Sequence, residues 1–297
     1  MLFAVGVPGW PIAFRGSQAV AAGLVTKARL RGPQFVRLFP DVYVRAADEQ
    51  TLELRSLAAF RLLAGKGGVV SGYSAAELHG ASCVRGNAPA EVTVPGGGVR
   101  GHPGLVLHRD ALLVDDDHAE IVRFGDVRLT GELRTAYDLA RWATDRTEAV
   151  VAVDALARVG GFDPDLLLNM ILRHPGARGS DRLYEVMALA ERRSGSPMET
   201  RLRLLLVDAG LPRPVAQHPV QYSDMRQAVW LDLAYPEKQI GIEYEGAEHT
   251  TRDGVLRDVG RYTQLVDRRW RIYRYSKREV YGDRARIVRQ IGRALAD

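Results

Sequence analysis

The chain has 297 residues, a formal net charge of +5, and 46% hydrophobic against 26% charged residues. Those proportions suit a folded chain of two or three small domains and leave no apolar run long enough to span a bilayer. One cysteine, Cys83, excludes an intramolecular disulfide and, with an N-terminus lacking a basic leader, leads us to expect a cytoplasmic protein with no membrane partner.

From the N-terminus, Ser17 is placed to cap a short helix that ends at Gly23, and Thr26 to cap a second over residues 27–30, ended by Gly32-Pro33. Residues 34–39 and 42–44 read as two strands around Pro40-Asp41. Helix, glycine turn, helix and hairpin is the order of a winged helix, whose second helix enters the DNA major groove in helix-turn-helix proteins. Lys27, Arg29 and Arg31 are its candidate DNA contacts, with Arg37 on the wing. The runs at 16–26 and 36–44 resemble the N-terminal winged helix of AbiEi-type antitoxins. That resemblance implies DNA binding, autoregulation of a type IV toxin–antitoxin operon and a toxin-type protein partner.

Leu52, Leu54, Leu57, Ala58 and Leu62 form a core-facing helical stripe. Residues 74–80 make another short helix, and His79, near Cys83, reads as a packed histidine because no second ligand pair accompanies it. Strands are expected near 91–95, 105–109 and 126–130. Asp115-Asp116-Asp117-His118 lacks ligand spacing and reads as a solvated loop. Helices follow over 134–141 and 148–158. Residues 71–185 again resemble the AbiEi-type α/β extension and carry no obvious chemistry.

Ser196-Pro197-Met198-Glu199 opens a helix with Ser as cap and Glu three residues later, so Glu199 is available as a capping-box partner. The richest stretch follows. Residues 230–235 and 240–245 alternate apolar and polar around a turn begun by Pro236. A four-residue loop, 236–239, pairs Tyr235 with Ile240 and brings Asp232 opposite Glu243, with Glu245 on the same face. A three-residue loop would put Ile242 there instead. Acids placed opposite each other repel unless a cation joins them, and carboxylate oxygens suit Mg²⁺. The simpler alternative is a hydrated strand face.

Asp, hairpin, Glu-x-Glu-Gly and a nearby His resemble the core of PD-(D/E)XK nucleases, closest to the Vsr-like branch. The likeness spans the last third of the chain. It implies a Mg²⁺- or Mn²⁺-dependent DNA endonuclease, with Asp232 and Glu243 as metal ligands, Glu245 in place of the usual Lys, His249 as proton-transfer group, and Glu199 matching a helix-borne ligand. Beyond residue 250, 13 Lys+Arg stand against 6 Asp+Glu, and Arg257, Arg261 and Arg274 are candidate phosphate clamps. The expected fold class is α/β (α+β): a winged helix at 1–70, an α/β middle domain at 71–190, and a nuclease-like mixed sheet with flanking helices at 191–297. The alternative function is a non-enzymatic DNA-binding regulator that retains a degenerate nuclease fold.

Overall fold

The computed structural model describes residues 12–84, 87–114, 119–221, 228–246, 265 and 268–297. In chain order its elements are β1 (Phe14–Arg15), α1 (Gly16–Ala21), α2 (Lys27–Leu30), β2 (Phe35–Phe39), β3 (Val42–Arg45), α3 (Leu52–Leu63), β4 (Val69–Val70), α4 (Gly72–Leu78), β5 (Ala90–Val94), β6 (Leu105–Arg109), β7 (Ile121–Phe124), β8 (Val127–Thr130), α5 (Glu132–Trp142), α6 (Arg146–Gly160), α7 (Leu167–Arg173), α8 (Leu183–Leu189), α9 (Pro197–Asp208), β9 (Val215–Gln221), β10 (Ala228–Tyr235), β11 (Ile240–Glu245), β12 (Arg271–Ser276), α10 (Lys277–Gly282) and α11 (Arg284–Ala296). The fold is α+β, with three separate sheets and mixed strand orientations. Among the described residues no helix is long and apolar enough to cross a membrane.

The chain forms two compact units. One comprises residues 1–142 with 169–177, the other 143–168 with 178–297. The first carries a three-stranded sheet ordered β1-β3-β2, joined to α1 and α2 in winged-helix order. Thr26 caps α2 by accepting the Arg29 N–H. Residue 70, the expected edge of the winged helix, lies inside a shared core rather than at a linker. Val42 and Val44 from the wing and Val70, Val92 and Val94 from the five-stranded sheet β6-β5-β4-β8-β7 share one buried cluster with residues of α3, among them Leu57, Ala58 and Leu63. Helix α3 is apolar on most of its circumference, so it serves both sheets at once. His79 Nε2 lies 2.7 Å from the Thr130 carbonyl, so this ring is held by the backbone, as a packed histidine is.

The second unit also begins before the expected boundary at residue 190, because α6 packs on α9 through a buried ion pair. Asp154 and Arg203 are 2.7 Å apart and essentially inaccessible. Thr200 Oγ1 and the Glu191 N–H also donate to Asp154. The sheet is ordered β12-β11-β10-β9, antiparallel except for the parallel β11–β12 pair. On one face lie Leu233, Tyr235, Ile240, Ile242 and Tyr275 with Met198, Leu202 and Leu206 of α9 and Ile287 and Ile291 of α11. The other face buries Val220, Val229, Leu231 and Ala234 with Leu265. Gly241 lets two neighbours close in: a Cβ there would sit 2.7 Å from Ile272 Cδ1 and 2.9 Å from a Leu231 methyl.

Candidate functional site

The β10–β11 turn is the four-residue one. Tyr235 pairs with Ile240, Ala234 with Gly241 and Leu233 with Ile242. One step further the count reaches Asp232 and Glu243, yet the ladder stops before them although both strands continue. The reason is chemical. The Tyr244 N–H donates at 2.8 Å to Asp232 Oδ2, a side-chain acceptor, so the strands part here. The Asp232 carboxylate is thereby fixed one peptide bond from Glu243.

The same point is a break in strand phase. Residues two apart on a strand share a face. Leu231 and Leu233 do not: they bury in opposite layers of the unit. On β9, Ala216 and Val220, four apart, also bury in opposite layers. The pairs Leu231–His218 and Leu233–Ala216 keep an unbroken count on either side. Both strands therefore reverse at one place, where Gln217 stands opposite Asp232.

Glu199 reaches this place from the first turn of α9. Ser196 caps the helix by accepting the Glu199 N–H at 3.2 Å. Of the two roles open to Glu199, the reciprocal capping bond takes a modified form: its carboxylate accepts from the Gly195 N–H at 2.7 Å, one residue before the cap. Gln217 Nε2 donates to the same oxygen, Oε2, at 2.8 Å. Gly195 lets these side chains close in: a Cβ there would come 2.7 Å from Glu199 Oε1 and 3.0 Å from Gln217 Nε2 and would displace them. Glu199 is 7% exposed. Burial, and then the neighbouring negative charge of Asp232, push its pKa up from 4.5 to about 6 against the pull of its hydrogen bonds. An acid thus faces an acid at the point where the sheet divides.

Glu243 and Glu245 are placed differently. Glu243 is buried, and Arg274 on β12 stands beside it with 3.5 Å between Nε and Oε2. Arg274 also reaches Glu245, half of whose side chain is exposed, at 3.2 Å. Arg274, a candidate phosphate clamp, is therefore engaged by two carboxylates. Lys27, Arg29, Arg31 and Arg37 are all exposed, and Arg29 Nε donates to Gln34 Oε1 at 2.7 Å. His249, Arg257, Arg261 and Asp115-Asp116-Asp117-His118 lie outside the described residues. Among the described residues no three His, Cys, Asp or Glu side chains gather closely enough to hold a metal ion. The expectation that Asp232, Glu243 and Glu245 converge as a trio is not what the described geometry presents. The acid on which the charge of Asp232 acts is Glu199.

That pair still fits a hard cation. Its donors are all oxygen, its members repel while both are ionised, and Mg²⁺ is commonly held by one or two carboxylates with water and substrate phosphate completing its shell. The residues missed from sequence are Gln217 and Gly195. A glycine immediately before an N-cap was visible for Gly195. Nothing in the pattern around Gln217 signals a reversal of strand phase.

No protein-family model matches the chain. It is similar to two uncharacterised proteins of Mycobacterium tuberculosis, one from strain CDC 1551 / Oshkosh and one from strain H37Rv. Each is 29% identical over 262 residues, covering 88% of this chain and 92% of the relative.

Proposed function

We propose that the protein is a Mg²⁺- or Mn²⁺-dependent DNA endonuclease whose cation is held by Asp232 and Glu199, with the winged-helix element binding DNA. The observation that carries this reading is a buried glutamate, Glu199, whose carboxyl is pushed up by burial and by the negative charge of a second carboxylate, Asp232, at the place where Gln217 and Gly195 hold it. A fold under selection for stability alone has cheaper ways to fill that space, and perturbed acids cluster at functional sites. Bound there, the ion supplies positive charge to the phosphate and lowers the pKa of water. Asp232 is aimed by the Tyr244 N–H, and Glu199 by Gly195 and Gln217. Glu243 and Glu245 hold Arg274 beside them, where its guanidinium is set to meet a phosphate oxygen. His249 follows three residues after Gly246, and an imidazole with an ordinary pKa near 6.5 suits proton transfer at neutral pH. Lys27, Arg29, Arg31 and Arg37 present exposed cations for backbone contact.

One observation favours a second reading, a regulator that binds an operator and a toxin-type partner without hydrolysis. Arg274 already neutralises Glu243 and Glu245, which leaves two carboxylates where the resemblance implies a larger ligand set. Supercoiled plasmid incubated with Mg²⁺, with EDTA, and with the Asp232→Asn protein separates the two. The endonuclease reading expects nicked or linear product only with wild type and Mg²⁺. Product that ignores EDTA and the substitution, or no product with Mg²⁺ or Mn²⁺, ends it.

A further inference from the structure

Four described residues other than glycine have positive φ: Asp41, Gln217, Gln239 and Arg269. Asp41 and Gln239 occupy tight turns between paired strands, and Arg269 lies in the turn before β12. Gln217, at φ 48°, is the one inside a strand. Left-handed backbone is unfavourable for a side chain of this size, and such strain gathers at functional sites. It occurs where β9 and β10 reverse phase, opposite Asp232. The Gln217 amide is spent on Glu199 Oε2, beside the Gly195 N–H, so both donors hold one oxygen and the carboxylate has a set direction.

We propose that Gln217 is the positioning residue of the cation site: its left-handed backbone turns β9 at Asp232, and its amide fixes the Glu199 carboxylate for metal. The inference rests on the reading of Glu199 and Asp232 as ligands. Groups that hydrogen-bond a metal ligand commonly change affinity by about 10–100-fold when removed. A purely structural role for Gln217 predicts something else, because its backbone is strained. Glycine adopts positive φ readily. Gln217→Gly therefore relieves the backbone while deleting the amide, and the two roles separate in one variant.

The test is Mn²⁺ titration by calorimetry, beside urea unfolding of the same metal-free proteins. Wild type, Gln217→Gly, Gln217→Asn and Asp232→Asn are compared. Asparagine tolerates the left-handed region, but its amide is one methylene short of Glu199. The expected result is unfolding stability in Gln217→Gly equal to or above wild type, with Mn²⁺ affinity at least about tenfold weaker in both Gln217 variants. Should Gln217→Gly and Gln217→Asn bind Mn²⁺ like wild type while Asp232→Asn has lost it, Gln217 only shapes the sheet and the inference fails alone. Should wild type fail to bind, or Asp232→Asn bind equally well, the ligand reading fails and this inference goes with it.

Discussion

Of the charges that helix α9 buries, Glu199 and Arg203 lie a single turn apart and are treated in opposite ways. At Arg203 the chain sets cation against anion: Asp154 lies 2.7 Å away, and Thr200 and the Glu191 N–H complete its hydrogen bonds. At Glu199 it sets anion beside anion. Burial is the first cause of a raised pKa in both acids, Asp154 and Glu199, and each arrives at about 6. The second cause has the opposite sign. Arg203 pulls Asp154 down, whereas Asp232 pushes Glu199 up. Burial alone therefore does not tell these two acids apart; the sign of the neighbouring charge does. The Asp154–Arg203 pair ties α6 to α9 and leaves little charge unmatched. The Glu199–Asp232 pair sets one negative charge against another inside a folded unit, and the repulsion adds to burial in raising the Glu199 pKa.

The largest effect expected from this contrast is at the matched pair. Arg203→Met leaves Asp154 buried without its cation, which costs about 3–5 kcal/mol when a buried partner is removed. Urea unfolding at pH 8 and pH 5 measures it. The loss should be smaller at pH 5, where Asp154, raised to about 6, is largely neutral and needs no partner. An equal loss at both values would mean that the ion pair is not what holds this packing.

A smaller effect of opposite sign is expected at Glu199. Its folded pKa of about 6 lies above the ordinary 4.5. Between those values the folded chain holds more protons than the unfolded one, so this group's contribution to stability falls as pH rises through that window. Glu199→Gln should therefore stabilise the metal-free protein above pH 6, by on the order of 1–2 kcal/mol, with the gain disappearing below pH 4.5. Denaturant midpoints across pH 4 to 8 give the curve. Destabilisation at neutral pH would place the weight on the carboxylate's hydrogen bonds rather than on its repulsion.

Much of this was legible in the chain. Pro236 and the alternation on either side of it marked the hairpin and left two turn lengths open; the observed Tyr235–Ile240 pair selects the four-residue one. Thr26 and Ser196 each cap the helix they precede, because a short side-chain oxygen meets an N–H that the helix leaves unbonded. Ser17 does not: α1 starts one residue earlier, at Gly16, without a side-chain cap, and the Ser17 hydroxyl donates to Asp41 instead. The short strands β1 and β4 and the helix α10 were not legible, since two to six residues carry too little periodicity. The site was legible in its composition more than in its grouping. Counting along a regular strand brings Asp232, Glu243 and Glu245 to one face, but the rule assumes unbroken alternation. Gln217 breaks it, and the break gives Asp232 to Glu199 while Arg274, from a strand distant in sequence, claims Glu243 and Glu245. Long-range pairings of that kind leave no local signature.

The central claim, that Asp232 and Glu199 together accept a divalent ion, is tested most directly by thermal unfolding with and without Mn²⁺. A ligand that binds only the folded chain raises its melting temperature with concentration. The account predicts a rise of a few degrees in wild type, the scale of about 1–2 kcal/mol for a chain of this size, and no rise in Asp232→Asn. A rise of the same size in both proteins would contradict it.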